Sequence, residues 1–262
     1  MLRALNTAAL GMTAQQLNVD IIANNLANVN TTGFKKSNIE FQDLLYEKIS
    51  TGRADGRKGK EKPSEIQIGL GNRPISTYRS FSQGNIEETG NPLDLAINGK
   101  GFIQIQQPDG NYVYTRDGSL KINSNGNLVT SSGLVVYPEI SLPENVTNIS
   151  IGQDGVISIQ VSGEKENEQI GQLELVSFMN PAGLLSMGGN LYQATEASGE
   201  PLFGVPGEEG LGQVMQGYLE KSNVDVAQEM INLIIAQRAY EINSKAVKTA
   251  DDLLAMTNNL KR

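Results

Sequence analysis

The chain has 262 residues, 39% of them hydrophobic and 19% charged, enough to build one large core or two modest ones. It contains no Cys and no His, which excludes thiol nucleophiles, disulfides, thiolate zinc sites and any triad built on imidazole. A net charge of −8 argues against a groove that tracks nucleic-acid phosphates.

The N-terminal stretch MLRALNTAALGMTAQQLNVD has one Arg but no continuous apolar run, because Asn6, Thr7, Thr13, Gln15 and Gln16 interrupt it. It does not read as a secretory signal peptide. Instead Leu2, Leu5, Ala9, Met12, Val19, Ala23 and Leu26 recur at alternating three- and four-residue steps, if Gln16 takes one seam position. That is a heptad pattern, and it predicts a helix over Arg3–Val29, about 27 residues and roughly 40 Å long. Ala8, Gln15, Ile22 and Val29 mark a neighbouring line, and Gly33 is the expected left-handed cap.

Asn24, Asn25 and Asn28 cluster near the end of this helix. Each costs roughly 0.6 kcal/mol against Ala in a helix. Either the end frays, or these amides are packed between helices and hydrogen-bond across the contact.

Glu47 to Pro63 is rich in Gly and Lys, with Arg53, Arg57, Lys58, Lys60 and Lys62 against Asp55 and Glu61. Composition reads it as an exposed linker. It is not a phosphate loop, because no Gly sits at the required position before Gly59-Lys60 and no Ser or Thr follows the Lys.

From Leu93 to Tyr137 apolar residues alternate, punctuated by Asn98-Gly99, Asp109-Gly110, Asp117-Gly118 and Asn125-Gly126. Turn signals about eight residues apart predict short antiparallel strands joined by hairpins. Ile149–Ile151, Val156–Val161 with Asp154-Gly155 between them, and Gln172–Phe178 continue the pattern. The turn carboxylates read as Asx-turn formers rather than acid–base groups. Gly207–Gly212 lacks the strand–turn–helix context of a dinucleotide site. The sequons at Asn30, Asn145 and Asn148 are too short to carry weight. No run is long enough to span a membrane.

Ser222–Asp225 offers N-cap candidates, and Asp225 with Gln228 and Glu229 resembles a capping box. Beyond it Val226, Met230, Leu233, Tyr240, Val247 and Leu254 form one seam, with Gln237, Ser244 and Asp251 in its gaps. Ile231, Ile235, Ala239, Ile242, Ala246, Leu253 and Met256 form a second stripe. A helix on the surface of a monomer needs one apolar face, not two. Either the two terminal helices make an ordinary hairpin on their own domain, or they pair and leave a stripe for other copies of the chain. On the second reading the contacts between copies fall on Leu2, Leu5, Met12, Val19, Ile22, Asn24, Asn25, Leu26 and Asn28 in the first helix. In the last helix they fall on Met230, Ile231, Leu233, Ile235, Tyr240, Ile242, Val247, Leu253 and Leu254.

Five stretches carry a resemblance along essentially the whole chain: IANNLANVNTTGFKK, NPLDLAINGKGFIQI, YTRDGSLKINSNGNLVTSSG, GNLYQATEASGEP and GLGQVMQGYLEKSNVDVAQEMINLIIAQRAYEINSKAVKTADDLL. In that order they resemble the flagellar rod and hook family. Total length, FQDLLYEKI and the Gly/Lys-rich insert point to its rod side, since hook members carry a larger middle domain.

The resemblance implies an α+β chain whose long terminal helices pair as a coiled-coil-like core around a mainly antiparallel β middle in two discontinuous domains. The expected division is a helical assembly domain (1–33 and 220–262), an extended segment with the basic insert (34–66), an inner β domain (67–94 and 186–219) and an outer β domain (95–185). The implied function is that of a structural subunit, exported by the flagellar type III route without a cleaved signal. It would polymerise in the periplasm into a hollow, torque-carrying rod. The implied partners are further copies, other rod and hook proteins, the ring proteins and the export apparatus, with the insert as an arm onto neighbouring subunits. No cofactor, metal, catalytic activity, nucleic acid or membrane insertion is implied. Other axial subunits, a secreted β-rich adhesin with a helical stalk, and a carboxylate-pair glycosidase are the competing readings.

Overall fold

The computed structural model describes residues 2–49, 66–143, 145–161 and 168–259. The chain divides into two compact units, one formed by residues 1–26, 37–78 and 226–262, the other by 27–36 and 79–225.

The first unit carries the two terminal helices, α1 (Leu2–Ala27) and α2 (Val226–Asn259). Neither contains a Pro, and both are rich in Ala, Leu, Gln and Met, which lose little rotamer freedom in a helix. The helices touch and run in opposite directions. Asn25 on α1 meets Glu229 on α2, and Gly11 meets Asn243, so fourteen residues back along α1 matches fourteen forward along α2. A Cβ on Gly11 would sit 2.8 Å from the Asn243 amide nitrogen, so glycine permits the close approach there.

Four strands complete this unit. β1 (Ser37–Asp43) pairs with β4 (Asn72–Arg79), and β2 (Tyr46–Ile49) pairs antiparallel with β3 (Ile66–Gly69) from Tyr46↔Gly69 to Ile49↔Ile66. Hydrogen bonds from Leu44 N to Gly71 O and from Leu70 N to Leu45 O join the two pairs into one ribbon.

The second unit is β-rich, and its registered strand pairs are antiparallel. β5 (Ile86–Glu88) pairs with β20 (Tyr218–Glu220), and β6 (Leu95–Asn98) with β19 (Gln213–Gln216). β12 (Val146–Ile151), β13 (Val156–Val161) and β14 (Glu168–Gln172) form a three-stranded sheet. The largest sheet draws on β7 (Phe102–Gln106), β8 (Tyr112–Thr115), β9 (Leu120–Ile122), β10 (Leu128–Thr130) and β11 (Val135–Tyr137). It is completed by β15 (Leu175–Ser177), β16 (Leu185–Gly188), β17 (Leu191–Gln193) and β18 (Leu202–Gly204). Its main path runs β16-β17-β8-β7-β11-β10-β9, and β15 links β7 to β18.

Strand alternation separates two cores within this unit. Ile103, Leu175 and Val136 enter an aliphatic cluster with Leu95, Leu120, Ile157, Ile159 and Leu173. Their neighbours Phe102 and Val176 face the other way, into an aromatic cluster with Tyr114, Phe178 and Tyr192. Phe81 packs edge-on to Phe102 at 5.3 Å and to Tyr192 at 5.2 Å. Such pairs add about 0.5–1.5 kcal/mol beyond area burial.

Several sequence expectations are corrected. Asp109-Gly110, Asn125-Gly126 and Asp154-Gly155 do turn the hairpins β7–β8, β9–β10 and β12–β13, each with Gly at positive φ. Asn98-Gly99 and Asp117-Gly118 join strands that pair elsewhere. Gly118 is glycine because a Cβ there would lie 1.7 Å from the Leu95 carbonyl oxygen. The run Gln172–Phe178 is two strands, interrupted at Leu173-Glu174, where Leu173 turns into the aliphatic core. α1 stops at Ala27 rather than Val29, and Gly33 does not cap it. Gly33 does have φ +66°, but in a later turn, where a Cβ would fall 2.7 Å from Asp117 N.

Candidate assembly surface

The inward row of α2 is Glu229, Leu233, Ala236, Asn243, Val247, Ala250 and Leu254, all buried or half-buried. Leu233, Val247 and Leu254 belong to the expected seam. Its other positions, Val226, Met230, Gln237, Tyr240, Ser244 and Asp251, are exposed, and the residue before is one of the inward row in four of the six. The seam is thus displaced by one residue at four of its nine positions. Apolar character picked Met230, but the close approach of two helices selects small or hydrogen-bonding groups, here Ala236, Asn243, Ala250 and the paired Glu229.

On α1, Ala8, Ala14, Ile22 and Asn25 are buried, while Leu5, Met12, Val19, Leu26 and Asn28 are half-buried and Asn24 is exposed. Leu2 opens the helix. Asn25 spends its amide within the chain. Its Oδ1 accepts from Ser37 N at 2.9 Å, its Nδ2 donates to Ser37 O at 2.9 Å, and Nδ2 also reaches Glu229 Oε2 at 3.4 Å. The side chain therefore pairs with the first residue of β1 as a neighbouring strand would.

The outward face of α2 is covered by nothing within the described residues. Ile235 is 62% and Ile242 65% exposed, and Ile231, Leu253 and Met256 on the same side are exposed too; Met230 and Tyr240 are exposed off that row, Tyr240 beside Gln16 and Val19 of α1. Ile231, Ile235, Ile242, Leu253 and Met256 follow one side of the helix for about 38 Å. Phe41, Leu45, Ile75 and Tyr78 are exposed on the β-ribbon of the same unit. Scattered surface apolar residues need no explanation, but a row of them along one side of a single helix marks a contact surface. Full burial of one such side chain contributes about 1.5–3 kcal/mol. The basic residues Arg53, Arg57, Lys58, Lys60 and Lys62 lie outside the described residues.

Between α1, α2 and β1 lies a groove of about 290 Å³, with Asn18, Asn25, Ser37, Asn38, Glu229 and Asn232 as its polar lining and Ile21, Ile22, Ile39, Phe41 and Ile235 as its apolar lining. Glu229 is 3% exposed.

The second unit holds a buried charge cluster that sequence reading missed. Lys35 Nζ lies 2.6 Å from Glu220 Oε1, and Arg116 Nε lies 3.2 Å from Glu220 Oε2. Lys35 also donates to Ser82 O, Gly84 N donates to Glu220 Oε1, and Arg116 donates to the Gly99 and Gly101 carbonyls. No well-angled hydrogen bond reaches Glu220 Oε2, so its link to Arg116 is electrostatic. Burial holds the Lys35 ammonium below the usual lysine value, against the opposing pull of Glu220. Burial likewise lowers Arg116, with Glu220 again opposing. A sequence shows a Lys, an Arg and a Glu 185 residues apart at most, with no period to connect them.

Among the described residues no group of three or more His, Cys, Asp or Glu could hold a metal, and no helix is long and apolar enough to cross a membrane.

Three family profiles match the chain: Flagella basal body rod protein over residues 5–35, Flagellar hook protein FlgE/F/G D1 domain over 96–159, and Flagellar basal body rod FlgEFG protein C-terminal over 215–260. Over its full length the chain is 50% identical to the flagellar basal-body rod protein FlgG of Borreliella burgdorferi, with 100% of both chains aligned. It is 45% identical to FlgG of Caulobacter vibrioides over 99% of this chain and 100% of that one. It is 40% identical to FlgG of Bacillus subtilis over 100% of both.

Proposed function

Since the chain belongs to the flagellar basal-body rod proteins of the FlgG type, we propose that it is a structural subunit which builds the distal rod by burying the outward face of α2 against further copies of itself. The observation that carries this is the row Ile231, Ile235, Ile242, Leu253 and Met256, left open along one side of α2 although α1 already lies against the other. A contact in which two different patches meet, and whose rotation does not close a ring, generates an open helical filament.

On this proposal α1 and α2 pair in a coiled-coil-like manner and face the tube interior, and the β-rich parts lie outside. The proposed division is into the helical assembly domain (1–33 and 220–262), the extended segment (34–66), and inner (67–94 and 186–219) and outer (95–185) β domains. The basic insert serves as an arm that stiffens the polymer. The rod stands in the periplasm, reached by the flagellar export apparatus without a cleaved signal, and meets other rod and hook proteins and the ring proteins. Its work is mechanical, carrying torque from motor to hook, and it needs no catalytic chemistry.

Sedimentation of the purified chain over a rising concentration series, followed by electron microscopy, tests the assembly function. Open filaments that lengthen with concentration are expected, whereas a small closed oligomer at every concentration rejects it. Removal of residues 50–62 is expected to leave filaments that form but bend more, and unchanged curvature rejects the arm.

A further inference from the structure

We propose that Glu229, at the floor of the groove between α1, α2 and β1, receives the Arg238 guanidinium of a second copy of this chain, so that one defined charge pair sets the register of the subunit contact. This inference rests on the assembly function proposed above and names the contact within it.

Three observations point to this pairing. First, Glu229 is 3% exposed and its side chain accepts from the Asn25 amide at 3.4 Å, a long bond for a carboxylate. Among the described residues the ion pairs are Arg3–Glu47, Lys35–Glu220, Arg116–Glu220, Lys221–Glu87 and Arg238–Glu241, and none reaches Glu229. A carboxylate so placed is costly without a cation.

Second, the groove beside it is about 290 Å³, with Phe41, Ile21 and Ile39 on its apolar lining. Such a space suits a side chain with an apolar stem and a charged tip. Third, Arg238 interrupts the exposed apolar row of α2 at the position between Ile235 and Ile242, three residues after one and four before the other. Its side chain is 72% exposed and its pairing with Glu241 is a solvent-facing contact within one helix, readily exchanged for another carboxylate. A cation framed by isoleucines therefore fits a carboxylate framed by Phe41 and Ile39. The guanidinium fork can engage both carboxylate oxygens, which a Lys cannot do. Because Glu229 and Arg238 stand on different faces of the same helix, each copy offers both halves, and the contact is head-to-tail, the kind that can propagate.

The absence of native Cys makes a direct test possible. Glu229 and Arg238 are nine residues apart on one helix, roughly 13.5 Å, too far for a bond within one chain. Under assembly conditions a short bismaleimide, standing in for the reach of the Glu and Arg side chains that a direct disulfide lacks, should link the Glu229→Cys/Arg238→Cys chain into a covalent ladder. A mixture of the two single variants should stop at dimers. Glu229→Arg and Arg238→Glu should each raise the concentration needed for assembly about tenfold, and the double reversal should return it to within about threefold. If the double-cysteine chain assembles without a ladder, or the double reversal recovers nothing while helicity is retained, the pairing is wrong and the assembly function stands. A wild-type chain that never assembles overturns both.

Discussion

Lys35 and Glu220 meet at 2.6 Å with both side chains buried, and so fasten the segment that follows α1 to the strand that precedes α2. Gly33 N donates to the Glu220 carbonyl at 2.8 Å, so backbone and side chain of one residue hold the same returning segment. Removing Glu220 strands two buried cations, whereas removing Lys35 leaves Arg116 on the carboxylate. Glu220→Leu is therefore expected to destabilise the β-rich unit by about 3–5 kcal/mol, and Lys35→Met by about 2 kcal/mol. Urea denaturation followed by circular dichroism measures both, and equal losses would contradict the asymmetry.

The aromatic core sets an alkaline limit on stability. Burial pushes the Tyr192 hydroxyl above the usual tyrosine value, although Arg79 pulls it back, and burial alone raises Tyr114. Above pH about 10 the unfolded chain releases these protons while the folded chain keeps them. The folded state then binds more protons, so stability falls as pH rises, and it is unaffected by these groups below that window. Tyrosinate absorbance should show part of the tyrosine complement titrating only on unfolding. Tyr192→Phe should flatten the loss above pH 10, and an unchanged slope would remove Tyr192 from the account.

Hydrophobic period made the helices and hairpins readable, because each is a local pattern. Which apolar line of α2 turned inward was not local. Met230 and Glu229 are adjacent, and greasiness favours Met230, yet Glu229 faces Asn25 and Met230 faces solvent. The choice depends on what α1 presents, and there the decisive residues are Gly11 and Asn25 rather than a Leu. Lys35, Arg116 and Glu220 were unreadable for a different reason. Each is an ordinary polar residue in its own segment, and only the fold's long-range pairing of those segments makes a cluster of them.

Among the clustered asparagines, Asn25 ties α1 to β1. Its amide satisfies both backbone groups of Ser37 at 2.9 Å, in a buried site. Asn25→Ala frees a half-buried N–H and a half-buried carbonyl of Ser37 and is expected to cost about 1–3 kcal/mol, despite a helix-propensity gain of roughly 0.6 kcal/mol. Asn25→Asp should cost at least as much, because it removes the donor and sets a second carboxylate beside Glu229. Thermal melts of the two variants check this order, and a neutral Asn25→Ala would show that water replaces the amide.

Leu233 and Ile235 separate folding from assembly on a single turn of α2. Leu233 is half-buried in the inward row, while Ile235 is 62% exposed on the outward one. A charge at Leu233 enters the contact with α1, where an unpaired carboxylate is costly. Leu233→Asp is therefore expected to lower helix content in the isolated chain by weakening the first unit, and to block polymerisation for that reason. Ile235→Asp places its charge in solvent, so the isolated chain should hold its helicity and its stability to within about 0.5 kcal/mol. It should still fail to form filaments, because the carboxylate would have to be desolvated when a neighbour covers it. Circular dichroism and sedimentation on the same samples distinguish the two. If Ile235→Asp polymerises as well as the native chain, the outward row of α2 is not the surface on which copies meet.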